Sequence, residues 1–417
     1  MTGRAHAEAL DAADPLASFR DRFVEPEPDL IYLDGNSLGR LPKATVDRLR
    51  EVVEGEWGGG LARSWERWID LPTLVGDLIA EHLLGARPGE VIVSDSTTVN
   101  LYKLAAAACD ARPGRTVLVT DDDNFPTDRY TLAGLAQARE LTVRMIASDP
   151  VHGPSLADVE AALDENVALL SLSAVAYRSG ALLDLPRITA AAHEAGALML
   201  WDVCHAAGSV PLELAAIGAD LAVGCGYKYL NGGPGSPAFL YVRKDLQPQL
   251  RSPIWGWFGQ REQFAMGERY DPQPDLRRFL AGTSPVLGVV ALEEGVRLLA
   301  EAGLDRLRAK GMAMTELART LAEEWLTPLG FTLASPADPA ARGSHLTLHH
   351  PEAFEISKAL IAEANVIPDY RTPDRLRLGP APISTRYTEV WDGLDRLRRL
   401  VESGAHHAYA EADRRLT

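Results

Sequence analysis

An aspartate and a lysine, each placed just after an apolar run, stand 26 positions apart in this chain. Asp202 closes Ala197-Leu-Met-Leu-Trp-Asp202. Lys228 follows Leu221-Ala-Val and precedes the glycine-rich turn Asn231-Gly-Gly-Pro-Gly235. A strand-end lysine can form a Schiff base with an aldehyde. A strand-end carboxylate can keep a pyridine nitrogen protonated, so the pair suits pyridoxal phosphate, whose ring then works as an electron sink. Burial would lower the proton affinity of the lysine and favour that chemistry. Plainer readings stand beside this one. Asp202 can cap a helix beginning near Ala206, His205 can be a core histidine, and a lysine after a strand ordinarily faces solvent.

Further segments offer groups for the same ligand. Ser94-Asp-Ser-Thr-Thr-Val-Asn100 lies between a strand and a helix. Its hydroxyls and free N–H groups can bind an anion, or Thr97 or Thr98 can simply cap the helix. Asn124-Phe-Pro-Thr-Asp128 places an apolar Phe125 in a polar loop, where a flat ligand would cover it; the preceding Asp121-Asp-Asp123 reads as a solvated loop. Trp255-Gly-Trp-Phe-Gly259 reads as core or as an interface. Thr283, in Ala281-Gly-Thr-Ser-Pro285, offers a hydroxyl. Arg377, between Leu376 and Leu378, can point inward and clamp a carboxylate. His345, Thr347 and His349 alternate on one face, read as wet, and without a carboxylate or cysteine at ligand spacing they do not read as a metal site. Gly232, Gly233 and Gly235 lack the context of a dinucleotide fingerprint.

These residues need strands to carry them. Apolar runs at Val91, Thr116, Leu141, Ala168, Ala197, Leu221 and Ala238 alternate with helical stretches such as Thr98–Ala107 and Leu185–Ala195. The pattern predicts an α/β fold with a mostly parallel, helix-covered sheet whose ligand lies beyond the carboxyl ends of the strands. From Pro285 the pattern changes to two long helical runs and then a smaller α+β section. The expected domains are an N-terminal segment 1–55 packed on the small domain, a cofactor domain 56–285 and a small domain 286–417. The tail after Gly404 reads as helical and solvated. With 417 residues, 46% of them hydrophobic, the chain suffices for two cores. A net charge of −16 argues against a nucleic-acid or anionic-membrane surface. Three isolated cysteines suit a reduced compartment. The first residues lack an apolar signal core, and no apolar run reaches membrane-spanning length.

Taken together, Phe125-Pro-Thr-Asp128, Trp201-Asp-Val-Cys-His205, Tyr227-Lys-Tyr-Leu-Asn231, Gly256-Trp-Phe-Gly259, Gly282-Thr-Ser-Pro285 and Tyr32-Leu-Asp-Gly-Asn-Ser-Leu-Gly39 resemble the motifs of the kynureninases. These are pyridoxal-phosphate enzymes of the aspartate-aminotransferase-like fold, fold type I, with a seven-stranded sheet. The resemblance runs from about residue 30 to about residue 385. It implies Lys228 as the Schiff-base lysine and Cα proton shuttle, Asp202 at the pyridine nitrogen and Phe125 on the ring. Thr97, Thr98, Asp128, His205 and Tyr227 would line the cofactor, with Tyr227 also the candidate acid at Cβ. Trp257 and Thr283 would reach the partner's phosphate in a homodimer. Arg377 would receive the substrate carboxylate, with Ser37 and Trp65 (or Trp68) beside the substrate. Thr283 stands where some relatives carry Asn.

The implied reaction is hydrolysis of L-kynurenine or 3-hydroxy-L-kynurenine to the matching anthranilate and L-alanine, in the cytoplasm, within tryptophan catabolism or NAD biosynthesis. A cysteine desulfurase or selenocysteine lyase of the same fold is the alternative. It would need a late cysteine, and none follows Cys225; Tyr227 also stands where desulfurases place histidine. A catalytically silent relative is a third reading, against which the intact lysine, aspartate and arginine argue.

Overall fold

The computed structural model describes residues 3–25 and 27–411. Its centre is a seven-stranded sheet built from β2 (Val91–Val93), β3 (Val117–Asp121), β4 (Thr142–Ile146), β5 (Val167–Ser173), β6 (Leu198–Asp202), β7 (Leu221–Gly224) and β8 (Phe239–Val242). A short β1 (Ile31–Tyr32) precedes them. The strand order is β2-β8-β7-β6-β5-β3-β4. Only β8 runs against its neighbours, so the sheet is mostly parallel, as the strand–helix alternation predicts.

Every residue of β5, β6, β7 and β8 is buried. That is why these strands read as continuous apolar runs without alternation: helices cover both faces of the sheet. One core holds Trp201, Val119, Leu170 and Phe239 with the helix Val286–Ala302. The other holds Leu118, Leu169, Leu200 and Val223 with the helix Thr97–Asp110. Each such aliphatic side chain contributes about 1.5–3 kcal/mol on full burial. Trp201 also satisfies its indole, donating Nε1–H to Thr189 Oγ1 at 3.1 Å.

The C-terminal part carries a four-stranded antiparallel sheet of β9 (Thr332–Leu333), β10 (Leu346–His349), β12 (Asp369–Arg371) and β13 (Arg375–Leu378). The N-terminal β1 pairs in parallel with β11 (Val366–Ile367). Ile31, Leu33 and Ala7 join the apolar cluster around Leu346, Leu376 and Leu394. After Gly404 the chain forms a 3₁₀ turn, Ala405–Tyr409, with His406 buried. It is therefore neither fully helical nor fully solvated as the composition suggests; residues 412–417 lie outside the described part. No helix among the described residues is long and apolar enough to cross a membrane.

Candidate active site

Parallel register brings the strand ends together. Ser173 pairs with Asp202, and Asp202 with Val223. Asp202 is 7% exposed, and its Oδ1 accepts the backbone N–H of Cys204 at 2.7 Å. It thus orders a turn; no helix begins near Ala206 for it to cap. Four residues beyond β7 comes Lys228, half-buried, with Nζ 5.8 Å from the Tyr227 ring centroid.

Burial pulls the Lys228 pKa down, but the neighbouring Cys225, Cys204, Tyr227 and Asp202 pull it up, and the net shift is upward. That upward pull requires the thiols and the phenol to be ionised; while Cys204 and Tyr227 keep their protons, burial and Asp202 oppose each other at Lys228. Burial likewise raises the Tyr227 phenol. Asp128 is buried beside Asp202. Burial first, then the Asp202 charge, hold its carboxyl well above the usual range, and its Oδ2 has no partner.

The chain start closes over this loop. Gly39 donates its N–H to Tyr227 O at 2.8 Å. A Cβ at Gly39 would stand 2.4 Å from Lys228 O, so only glycine fits there.

The anion-binding segment folds as a tight turn into the helix Thr97–Asp110. Ser96, not Thr97 or Thr98, is the N-cap, accepting from Val99 N at 3.4 Å. The two threonines occupy the first helical positions. Their own N–H groups and hydroxyls therefore remain available at the positive end of the helix. Thr97 Oγ1 lies 3.8 Å from Cys204 Sγ. Beneath the turn, fully buried Lys103 donates to Asp95, to Ser94 Oγ at 3.2 Å and to Phe279 O at 2.6 Å. It fastens the turn to the segment leading to Thr283, an anchor that a lone lysine in a helix does not announce in sequence. A cavity of about 640 Å³ opens there, lined by Ser96, Tyr227, Pro234, Thr283 and their neighbours.

Phe125 keeps 37% of its surface exposed while its edge meets Tyr177 at 5.3 Å between centroids. Of the acidic run before it, Asp122 is exposed as expected, but Asp121 is not and Asp123 is only partly so. Asp121 ends β3 and is 5% exposed, with burial lifting its pKa to about 6, and Asp123 pairs with Arg178.

Arg377 does point inward, and it is 1% exposed. It donates to Tyr177 O, to Ser37 Oγ at 3.1 Å and to Asp369. With its amide turned to accept, Asn36 takes Nη2 and Nε at 3.1 and 3.2 Å. Asp369, fully buried, also pairs with Arg371 at 3.0 Å and accepts from Ser37 Oγ at 3.0 Å. The arginine proposed for a ligand carboxylate thus already holds an internal one. Asp34 completes this acidic group, its pKa raised to about 7 by burial and the Asp369 charge.

Between the two cationic centres lie His205 and His345, with ring centroids 5.5 Å apart. Burial, then the Lys228 and Arg377 charges in differing order, push both well below the usual histidine range. His345 and Thr347 are therefore buried, not wet, with His205 beside the first and Arg178 O accepting from Thr347 Oγ1 at 2.7 Å, while His349 on the same face is half-exposed. Gly180 allows this: a Cβ there would stand 2.8 Å from His345 O.

Trp65, Trp68 and Trp257 gather around Phe258 in a separate cluster. Trp65 meets Trp68 at 5.4 Å and Phe258 at 6.4 Å, and Phe258 meets Trp257 at 4.6 Å. Trp68 is buried with Nε1 donated to Glu56 at 2.6 Å, whereas Trp65 keeps free surface.

Comparison with known proteins decides among the chemistries such a site permits. The aminotransferase class-V family model matches residues 31–361. A kynureninase of Pseudomonas fluorescens is 43% identical over 410 residues, covering 96% of each chain. One of Burkholderia pseudomallei is 43% identical over 416 residues, covering 98% of each. The chain belongs to the kynureninase family. A cysteine desulfurase from Thermococcus onnurineus shares the fold with a TM-score of 0.79, over 95% of this chain and 98% of that one, at 18% identity. That likeness is one of fold. Pyridoxal phosphate is the cofactor, and the site fits it: a reachable lysine, a strand-end carboxylate, a helix start with free donors, and unpartnered buried atoms at Asp128 Oδ2 and His205 Nε2.

Proposed function

We propose that the protein hydrolyses the Cβ–Cγ bond of L-kynurenine or 3-hydroxy-L-kynurenine, giving the matching anthranilate and L-alanine. The observation that carries this reading is Lys228, with Asp202 beside it, and Arg377 both bearing on the His205–His345 pair, in a chain 43% identical to kynureninases over nearly all its length.

Lys228 would hold the cofactor through Nζ, Asp202 would keep its ring nitrogen protonated, and Phe125 would cover its face. Thr97, Thr98 and Tyr227 would hold the phosphate, with Asp128 and His205 beside the ring. Bound there, the cofactor supplies an electron sink for the pair left at Cα. Lys228, once displaced by the substrate amine, takes the Cα proton at Nζ. Arg377 orients the amino acid by its carboxylate. Its donor count leaves one Nη1 proton uncommitted, so the substrate carboxylate either takes that proton or displaces Asp369. Ser37 moves with that exchange, because it bonds both partners. Tyr227, protonated in its buried position, delivers the proton to Cβ; burial makes the free phenol a weaker acid, so the bound phosphate and substrate must offset that shift.

Trp65, with its free surface, lines the substrate ring. Trp257 and Thr283 reach the partner's site in a homodimer. Trp257 lies 41% exposed near Trp255 and Phe264, each 69% exposed, and such a patch suits an interface. Residues 56–285 form the cofactor domain and 286–417 the small domain, with the first 55 residues against the latter. The three free cysteines suit a cytoplasmic setting.

Steady-state kinetics on L-kynurenine and 3-hydroxy-L-kynurenine test the reading, with the fluorescent anthranilate as readout. No turnover of either, together with sulfide release from cysteine, would establish the desulfurase alternative.

A further inference from the structure

We propose that Glu352, His406 and His407 form a binding site for one divalent transition-metal ion of the zinc type. Gly404, in a left-handed conformation (φ 71°), ends the helix Tyr387–Ser403 and turns the chain back. The following 3₁₀ turn, Ala405–Tyr409, then carries its two histidines to the start of the helix Ala353–Glu363. Glu352 is the residue just before that helix. Its two carboxylate oxygens face the two imidazoles: His406 Nε2 lies 3.2 Å from Oε2, and His407 Nε2 lies 3.5 Å from Oε1. The rings stand 4.2 Å apart between centroids. Among the described residues these three side chains bring one donor atom each to within 4.8 Å of one another.

Those separations suit a metal. A tetrahedral zinc ion with bonds of about 2.0–2.2 Å has neighbouring ligands roughly 3.3 Å apart. The two histidine nitrogens lie on either side of that length from Glu352, each from a different oxygen, so the carboxylate would bind through both oxygens or turn to present one. The edge between the two histidines closes through His407, whose side chain is 64% exposed and free to turn. Two imidazoles and one carboxylate favour zinc, copper or nickel over calcium or magnesium, which prefer all-oxygen sites. A fourth position on the exposed side of His407 would take water.

The surroundings hold His406 and the backbone of Glu352, whose side chain stays 43% exposed. His406 is 3% exposed. Glu352 donates its backbone N–H to His350 Nδ1 at 3.1 Å, and His350 Nε2 meets Leu329 O at 3.2 Å. A simple ion pair would need one histidine for one carboxylate, and would need it protonated. Here a second, exposed histidine faces the remaining oxygen. A bound ion would clip the C-terminal turn to this helix, next to the bond from Tyr409 to Glu363 at 3.0 Å. The Lys228 site would be untouched.

The test uses untagged, cofactor-loaded, full-length protein freed of metal with a chelator. Zinc chloride is added, followed by gel filtration and elemental analysis, with calorimetric titration alongside. The parent should keep one zinc per chain and melt at a higher temperature with zinc than without. His407→Ala, at an exposed position, and Glu352→Gln should each bind zinc at least tenfold more weakly while turning over substrate as the parent does. A parent that keeps no zinc, or folded variants that bind it as tightly as the parent, would overturn the site.

Discussion

Asp369 offers the sharpest test of how the carboxylate-binding end is built. It is fully buried and lies between Arg377, Arg371 and Ser37. Asp369→Asn keeps the shape and one accepting oxygen but removes the charge. Arg377, 1% exposed, then loses its fully buried partner and has only Asp34, freed of the Asp369 charge, to offset it. Breaking a buried pair in this way costs about 3–5 kcal/mol. The retained amide oxygen argues for the lower end, about 3 kcal/mol, which corresponds to a melting temperature several degrees lower. The same change removes the internal competitor for Arg377, so an incoming carboxylate gains what Asp369 gave up. Melting temperature is measured with and without the product L-alanine, and KM for L-kynurenine is measured beside it. The variant should melt lower, recover more of its loss with L-alanine than the parent gains, and show a lower KM where KM reports binding. An unchanged melting temperature would refute the burial argument. A lower one with no recovery and a raised KM would show that Asp369 positions Arg377 and does not compete for it.

Three further perturbations follow from the site. Lys228→Ala should abolish turnover and the visible absorbance of lysine-bound cofactor, and a spectrum identical to the parent's would remove Lys228 from its role. Lys103→Met leaves Ser94, Asp95 and Phe279 O without their shared donor; it should cost roughly 3 kcal/mol and weaken cofactor retention, read by melting and by cofactor titration. Equal cofactor affinity would mean that Lys103 supports the core alone. Asp34 titrates at about 7 in the folded chain against 3.8 unperturbed, so its contribution is complete below about pH 4 and is lost as pH rises through about 7. Asp34→Asn should therefore melt above the parent at pH 8, by at most about 4 kcal/mol, with the gap closing toward pH 5; a gap that does not change with pH would contradict this.

The large sheet was legible because its strands, apart from the edge strand β4, are buried on both faces and bounded by turn residues. The ends of β6 and β7, and with them Asp202 and Lys228, could be placed from apolar runs alone. Other features depend on pairings the sequence does not print. Ser344-His-Leu-Thr-Leu-His349 alternates as a half-exposed strand does, yet β10 turns Leu346 and Leu348 into an apolar cluster and His345 and Thr347 against His205 and Arg178. Which face is dry depends on packing between parts of the chain that are over a hundred residues apart, and so His345 was misread. Asp369 was missed for a similar reason. Its meaning lies in register, opposite Arg377 across an antiparallel pair, a contact set by the turn between β12 and β13. Asp121 and Asp123 looked like loop acids because three aspartates in a row ordinarily are. The strand continues through Asp121, and Arg178 takes Asp123.

The arrangement of charge explains why these missed residues matter. The site holds two carboxylate groupings: Asp128 with Asp202 near Lys228, and Asp34 with Asp369 near Arg371 and Arg377. Within each, burial and the neighbouring carboxylate raise one member's pKa, Asp128 in the first and Asp34 in the second. Asp128, kept neutral, can then donate to Asp202, which presents a single negative charge at one end of the site. At the other end Asp369 meets two arginines, and the excess positive charge is what a substrate carboxylate can claim. His205 and His345 stand between the ends, and a protonated imidazole there would add a third charge facing both Lys228 and Arg377. Burial and those two cations keep both rings neutral. The proton-handling end and the anchoring end are thereby kept electrostatically distinct across one pair of rings, an arrangement that a single exposed histidine in place of either would undo.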